Sequence, residues 1–404
     1  MRGLLSRFFS TVSGQTLLAL SFNTISILAG GLIAIFTPLF GASPWILALF
    51  PPVLTVRGCI GGIFSGNLAT MLHLGLVKPQ LRDNTENYYA LIKSVLVITT
   101  LDTLVLGVVS FTLNLVSGNV GFELFPVFVG VPTVACMVAV CFSVPITSVI
   151  AIETYRRGLD PDILVYPILA SVNDIVVTVF YVLTVSMILL GGAYTWALYA
   201  LFILVSAAMV VLGLRSMSNL FFRQTLREGA FIVVMSSVFG SVNGVLLSRL
   251  GGSIREIPGL IVMYPALTNS LGNIGSIIGS KMTTDMALGY ARGFLEELRD
   301  AGRRILQVEA PAAVIHVVFA VISFLIVGPG AEGVSFPRLL SVALCTNLIS
   351  FGVISLFAIT SAYMAFERGL NPDNVVIPTI TSVSDTAATL AVNPAVALTR
   401  LLVL

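Results

Sequence analysis

The sequence predicts an all-α, polytopic membrane protein of about eleven transmembrane helices: two parallel five-helix repeats joined by one extra linking helix. Three observations predict it. The 404 residues are 57% hydrophobic and only 10% charged, with a mean hydropathy of +1.02, whereas a soluble domain carries about a quarter charged residues. The apolar runs are about 20–30 residues long, which suits a membrane-crossing helix, and not the ~10-residue alternating pattern of a barrel strand. Finally, one stretch of the chain recurs in order about 210 residues further on.

Taken in order, residues 1–14 ("MRGLLSRFFSTVSG") are short and basic. No small-residue cleavage site follows them, so they are expected to be a cytoplasmic, interfacial lead-in and not a removable signal. Five spans follow at about 15–37, 44–76, 88–112, 124–152 and 162–190, making a first repeat over 15–190. A sixth span at 194–214 lies in a connector, 191–229. Five more, at about 230–250, 258–290, 310–328, 337–365 and 373–401, make a second repeat over 230–404. The second and eighth spans are long and Gly-rich, and each is expected to be a broken or tilted pair lining a wet cavity. With the N-terminus in the cytoplasm, fifteen Lys and Arg fall inside and four outside, the bias expected of cytoplasmic loops. That orientation puts the C-terminus outside the cell membrane. Cys59, Cys136, Cys141 and Cys345 are scattered through apolar runs without a CxxC pattern and read as small core residues.

Self-comparison gives the repeat its substance. "RRGLDPDILVYPILASVND" (156–174) aligns without gaps to "ERGLNPDNVVIPTITSVSD" (367–385) at a shift of 211, with 10 of 19 positions identical. "GCIGGIFSGNLATMLHLG" (58–75) aligns to "GNIGSIIGSKMTTDMALG" (272–289) at a shift of 214, with 7 of 18 identical. Apolar composition alone matches Leu and Val, but not Gly, Pro, Ser and Asp in sequence. Five spans is an odd number, so direct fusion would invert one unit; the sixth span restores a common orientation. The units are then related by a pseudo-two-fold axis along the membrane normal, and one chain acts as a pseudodimer.

The repeat turns two misplaced carboxylates into a pair. Asp174 and Asp385 sit in matching small-polar contexts within apolar runs, where an ionised Asp costs at least ~2.5–3.5 kcal/mol on insertion scales. Facing each other across the axis, they would repel unless they shared a proton or a cation. A hard divalent ion such as Mg²⁺ suits such oxygen ligands and keeps most of its waters. Ser171, Asn173, Ser382 and Ser384 adjoin as outer hydrogen-bonding groups, and no thiolate or imidazole does, which disfavours soft metals.

Other polar residues inside spans carry weaker readings. Gly58, Gly61, Gly62, Gly272 and Gly275 allow close backbone approach, either for helix packing or for lining a path. Asn67 and Asn273 are polar enough to join that path. Lys281 and Asp285 are spaced to pair on one helix face. Asp102 roughly matches His316 in the other repeat, as a proton or coupling-ion group or as a satisfied interhelical contact. His73 reads as interfacial. Pro161 and Pro372 suit first helical turns, with Asp162 and Asp373 at the positive helix ends, as caps or as an entrance ring.

At "PPVLTVRGCIGG", "PALTNSLGNIGS" and the two "PD…P…SV…D" segments, the chain resembles the MgtE-like family of magnesium transporters and channels, in the tandem form similar to fused solute-carrier relatives. The resemblance implies an ion path at the repeat interface with Asp174 and Asp385 as its central cation site. Backbone carbonyls at Ala170 and Thr381 would face a hydrated ion, and Gly58, Gly61, Gly272 and Gly275 would line the path. Two departures stand out. Only about a dozen residues precede the first span, so closure by a large cytosolic sensor is not expected, and the family's Gly-Asn is Gly272-Asn273 in one repeat but Gly58-Cys59 in the other.

Three functions remain open on these grounds. The first is a self-contained Mg²⁺ or other divalent-cation transporter or channel, needing no cofactor and no partner beyond the bilayer. The second is an Na⁺- or H⁺-coupled exchanger using the same site, through Asp102 or His316. The third is an intramembrane enzyme built on Ser65 and His73. Those two residues are eight apart on one helix, ~12 Å along its axis, too far for a nucleophile–base hydrogen bond.

Overall fold

The computed structural model describes residues 11–36, 43–157, 161–249, 256–287, 294–328, 334–370 and 372–402. The described elements are helical throughout. A first span is built from α1 (Val12–Ser21), a 3₁₀ turn at Phe22–Ile25 and α2 (Ser26–Ile35). Then come α3 (Pro44–His73), α4 (Glu86–Val116), α5 (Phe125–Arg156), α6 (Pro161–Leu190) and α7 (Gly192–Ser216). The rest are α8 (Leu220–Arg249), α9 (Gly259–Ala287), α10 (Phe294–Val327), α11 (Phe336–Glu367) and α12 (Pro372–Leu402). Ten of these spans are long and apolar enough to cross a membrane, so this is an integral membrane protein. The eleventh expected span, α9, falls short in apolarity because every residue from Gly259 to Ser276 is buried against protein. A helix that meets no lipid needs no lipid-facing side chains.

Two expectations about broken helices are overturned. The Gly-rich segments form single continuous helices: α3 runs 30 residues through Pro51 and Pro52, and α9 runs 29 through Pro265. Neighbours bury α3 over most of its length and α9 from Gly259 to Ser276, so their small residues serve close packing, and only the prolines forgo a helical N–H bond. The interruption lies in the first span. There Ser21 Oγ donates to Leu18 O at 2.6 Å and Thr24 Oγ1 to Ser21 O at 2.7 Å, side-chain bonds that compete with the helical ladder. The chain tightens to 3₁₀ geometry over Phe22–Ile25 and buries Asn23 completely.

The two halves share a packing plan. In the first, α3 packs on α4, α5 and α6, and α4 on α5 and α5 on α6; in the second, α9 packs on α10, α11 and α12, and α10 on α11 and α11 on α12. The opening helix of each half is exchanged. The first span lies on α9 and α10, while α8 lies on α3 and α4. One pair of contacts shows how closely the halves correspond. A Cβ added to Gly30 in α2 would overlap the Val262 carbonyl oxygen of α9, and one added to Gly244 in α8 would overlap the Ala48 carbonyl oxygen of α3. Gly244 stands 214 positions after Gly30, and Ala48 stands 214 positions before Val262. Glycine is required at each seam because backbone meets backbone.

The sixth span, α7, has no counterpart. It leans on α4, α5 and α6 and buries only Leu198, Gly213 and Ser216. Its remaining apolar surface, including Trp196, Ile203, Leu204 and Leu214, suits contact with lipid. Cys59 and Cys136 are buried, Cys141 is exposed and Cys345 is partly exposed, all as free thiols.

Candidate cation site at the repeat interface

The two aspartates hang from equivalent helices, α6 and α12, and α3 packs against both. Pro167 and Pro378 interrupt those helices at matching positions. Each proline carbonyl accepts from the serine four residues on: Ser171 Oγ to Pro167 O at 3.0 Å and Ser382 Oγ to Pro378 O at 2.9 Å. The segments leading to both carboxylates are therefore shaped alike.

Each carboxylate is held by the opposite repeat. Thr55 of α3 lies with Oγ1 3.0 Å from Asp385 Oδ2, and Asn269 of α9 donates its amide to Asp174 Oδ2 at 3.0 Å. Thr55 and Asn269 are themselves 214 positions apart, so the two contacts are one motif used twice. Asn269 Nδ2 also lies 3.0 Å from Ser26 Oγ and 3.4 Å from Ser171 Oγ, with two hydrogens to share among three oxygens. Beside it, Asn23 Oδ1 accepts from Asn273 Nδ2 at 2.7 Å and from Ser171 Oγ at 3.2 Å. The broken first span thus supplies Asn23 and Ser26 to the polar centre.

Sequence reasoning missed the third charged group. Arg57 of α3 forms an ion pair with Asp174 through its guanidinium. Arg57 is 9% exposed and Asp174 0%, whereas Asp385 is only part-buried. The site therefore contains two carboxylates and one tethered cation, unevenly shared. Position 271, equivalent to Arg57, is Leu, so self-comparison had no partner with which to flag the arginine. A charge inside an apolar helix was the available signal.

The remaining expected residues fall around this centre. Gly58 lies against Thr381 and the Tyr166 hydroxyl, and Gly272 against Thr381 from the other side. Thr381 and Ala170 are 4% and 1% exposed. Tyr166 donates to Gly58 O at 3.5 Å and packs with Ala170 and Ile377. These side chains lie together on the N-terminal side of the aspartates. Gly61 faces Leu169 and Asn173. Asn173 Oδ1 is buried without a hydrogen-bond partner, as is Ser384 Oγ. Gly275 is pressed against Ile380 and Ile354, and Gly62 against Ile377 and Pro378, positions of close helix packing. Asn67 donates to Ile63 O of its own helix at 2.8 Å.

Asp102 and His316 stand apart from this centre. Asp102 accepts from Ser236 and Ser237 of α8 at 3.0–3.2 Å and from Cys59, in the seam between α3, α4 and α8. This cluster is the counterpart of the Asn273–Asn23 contact: Cys59 and Ser237 stand 214 positions before Asn273 and after Asn23, respectively. His316 Nδ1 meets Ala312 O at 2.8 Å, and its ring lies edge-on to Phe319. Ser65 reaches only Gly62 O of its own helix at 3.5 Å, and His73 lies against Tyr155. The side chains of Lys281, Asp285, Asp162 and Asp373 lie outside the described residues.

The chain is 22% identical over 382 residues to solute carrier family 41 member 3 of Mus musculus, covering 87% of this chain and 75% of the mouse protein. The Rattus norvegicus protein of the same name is also 22% identical over 382 residues, covering 87% and 79%. No solved structure matches the chain. The family model described as "MgtE: Divalent cation transporter" matches twice, over residues 50–184 and 264–392, and each match takes in most of one Gly-rich helix and one of the paired residues Asp174 and Asp385. Those two matches span well over half of the sequence: the chain belongs to the MgtE family of divalent cation transporters, a family of transporters and not of enzymes.

Proposed function

We propose that this chain carries Mg²⁺, or a closely related hard divalent cation, across the cell membrane at the interface of its two repeats, with Asp174 and Asp385 as the anionic centre. The observation that carries the reading is the crossed hold on the two carboxylates, Asn269 on Asp174 and Thr55 on Asp385, each at 3.0 Å. A site assembled from both halves can change shape when the halves move, which alternating access or gating requires. Amide, hydroxyl and carboxylate oxygens suit a cation that keeps part of its water shell. The carbonyls of Ala170 and Thr381 lie one turn before the aspartates, in reach of an ion leaving that way. One chain supplies both halves and acts as a pseudodimer, with the N-terminus inside and the C-terminus outside as the Lys and Arg distribution indicates.

Purified protein in liposomes, loaded with a Mg²⁺-sensitive dye, tests this directly. D174N and D385N are each expected to reduce Mg²⁺ flux at least tenfold while the protein still reconstitutes. Flux equal to wild type in both variants overturns the central site.

A coupled exchanger draws on one further observation. Asp102 is a fully buried carboxylate with hydroxyl and thiol donors and, among the described residues, no ion-pair partner. Flux that ignores imposed Na⁺ and pH gradients excludes coupling, and flux that follows one of them in wild type but not in D102N establishes it.

A further inference from the structure

A large cleft lies well away from the aspartate pair, between α8 on one side and α11 and α12 on the other. Its volume is about 1180 Å³, above the roughly 300–1,000 Å³ typical of small-molecule pockets. The lining divides into two chemical zones. At one end are Arg223 and Arg227, four apart on one face of α8, and Arg368 just past the end of α11. Further along the helices from those ends, the lining is apolar, with Phe231, Met235, Phe357 and Met364.

The charge there is unbalanced. Among the described residues, three arginines line the cleft against one carboxylate, Glu228, which accepts from Gln224 at 3.0 Å. None of the three arginines has an ion pair with a carboxylate among the described residues. Thr379, also in the lining, is 7% exposed with its hydroxyl unpartnered. A cationic mouth, an apolar interior and a buried free hydroxyl together describe a receptor for an amphiphile with an anionic head.

We propose that this cleft is a binding site for an anionic phospholipid. The head-group phosphate sits among Arg223, Arg227 and Arg368, where guanidinium forks pair phosphate oxygens two at a time. An acyl chain runs along Phe231, Met235 and Phe357 toward Thr379. A free phosphate would leave the aromatic wall in contact with water, and a neutral lipid would leave the arginines without a counter-charge. The arginine end lies on the side that the Lys and Arg distribution places inside, where anionic lipids are enriched. Because α12 carries both Thr379 and Asp385, an occupied cleft also braces the helix that bears the part-buried aspartate. The proposal is independent of which ion the aspartates bind.

The test is thermal unfolding in nanodiscs of phosphatidylcholine, with and without about one-third phosphatidylglycerol. Wild type is expected to melt several degrees higher with phosphatidylglycerol. R223Q/R227Q/R368Q is expected to melt like wild type in pure phosphatidylcholine and to lose that gain. R82Q/K93Q/R156Q removes three exposed cations elsewhere and is expected to keep it. A wild type indifferent to phosphatidylglycerol overturns the site, and so does a triple cleft variant that keeps the gain. Equal loss in both triple variants reassigns the effect to general surface charge. Recovery of the full gain in detergent by soluble glycerol phosphate shows an anion site without a lipid chain, which also overturns the proposal.

Discussion

Arg57 and Asp174 form a buried ion pair inside the membrane-spanning core, at 9% and 0% exposure. In the cation site proposed above, one of the two aspartates is already paired with a cation covalently attached to the protein. An entering ion that uses both carboxylates must displace the guanidinium. At the guanidinium's distance a monovalent ion gains no more Coulomb energy than Arg57 gives up, whereas a divalent ion gains about twice as much. The tethered arginine thus favours divalent over monovalent occupancy. A small cavity of about 20 Å³ adjoins Arg57, lined also by Ser143 and Asn173, and the unpartnered Asn173 Oδ1 offers the displaced guanidinium an acceptor there. The R57Q variant is expected to lose stability without divalent ions, by the ~3–5 kcal/mol typical of a broken buried pair. Its Mg²⁺-dependent rise in melting temperature is expected to exceed that of wild type, with apparent affinity at least about tenfold tighter, or 1.4 kcal/mol. Differential scanning fluorimetry across a Mg²⁺ titration measures both. Unchanged or weaker affinity in R57Q makes the arginine a structural partner only.

The crossed hydrogen bonds predict a specific pattern of coupling. Asn269 serves Asp174, and Thr55 serves Asp385. A hydrogen bond to a charged group contributes ~1.5–3 kcal/mol, so N269A and T55A should each destabilise the ion-free protein. N269A is expected to cost more, because Asn269 also reaches Ser26 and Ser171. Double-mutant cycles separate the partners. N269A should show coupling above ~0.5 kcal/mol with D174N but not with D385N, and T55A the reverse. Coupling of N269A to D385N instead would mean that each repeat holds its own carboxylate and the crossed arrangement is wrong.

Much of this architecture is legible in the chain because duplication writes the same chemistry twice. Asp174 and Asp385, Pro167 and Pro378, and Ser171 and Ser382 all surface by aligning the chain with itself. The same comparison hides whatever breaks the symmetry. Arg57 faces Leu at the equivalent position, so the residue that most changes the electrostatics of the site drops out of the alignment. The glycines of α3 and α9 suggest unwinding when read singly. In the fold they are buried packing positions of unbroken helices, while Asn23, Thr24 and the serines around them break a span that looks regular by hydropathy. Exchange of the opening helices leaves no periodic trace, since contacts between distant helices do not alter the pattern along either one.

The exchange itself can be tested at its seams. Gly30 meets the Val262 carbonyl and Gly244 meets the Ala48 carbonyl, and neither backbone can yield without moving a whole helix. A methyl group at either position forces the first span off α9 or α8 off α3. G30A and G244A are each expected to lose at least the ~1–3 kcal/mol of an overpacked core, and G30A also to lower Mg²⁺ flux because Ser26 and Asn23 shift with the first span. Gly31 is the internal control, since a Cβ there meets nothing within 4 Å. G31A should be neutral or slightly stabilising, because alanine favours helix over glycine by ~0.5–1 kcal/mol. Thermal unfolding of the three variants decides the matter: similar, small effects in all three would mean that the opening helices do not pack on the opposite repeats at these glycines.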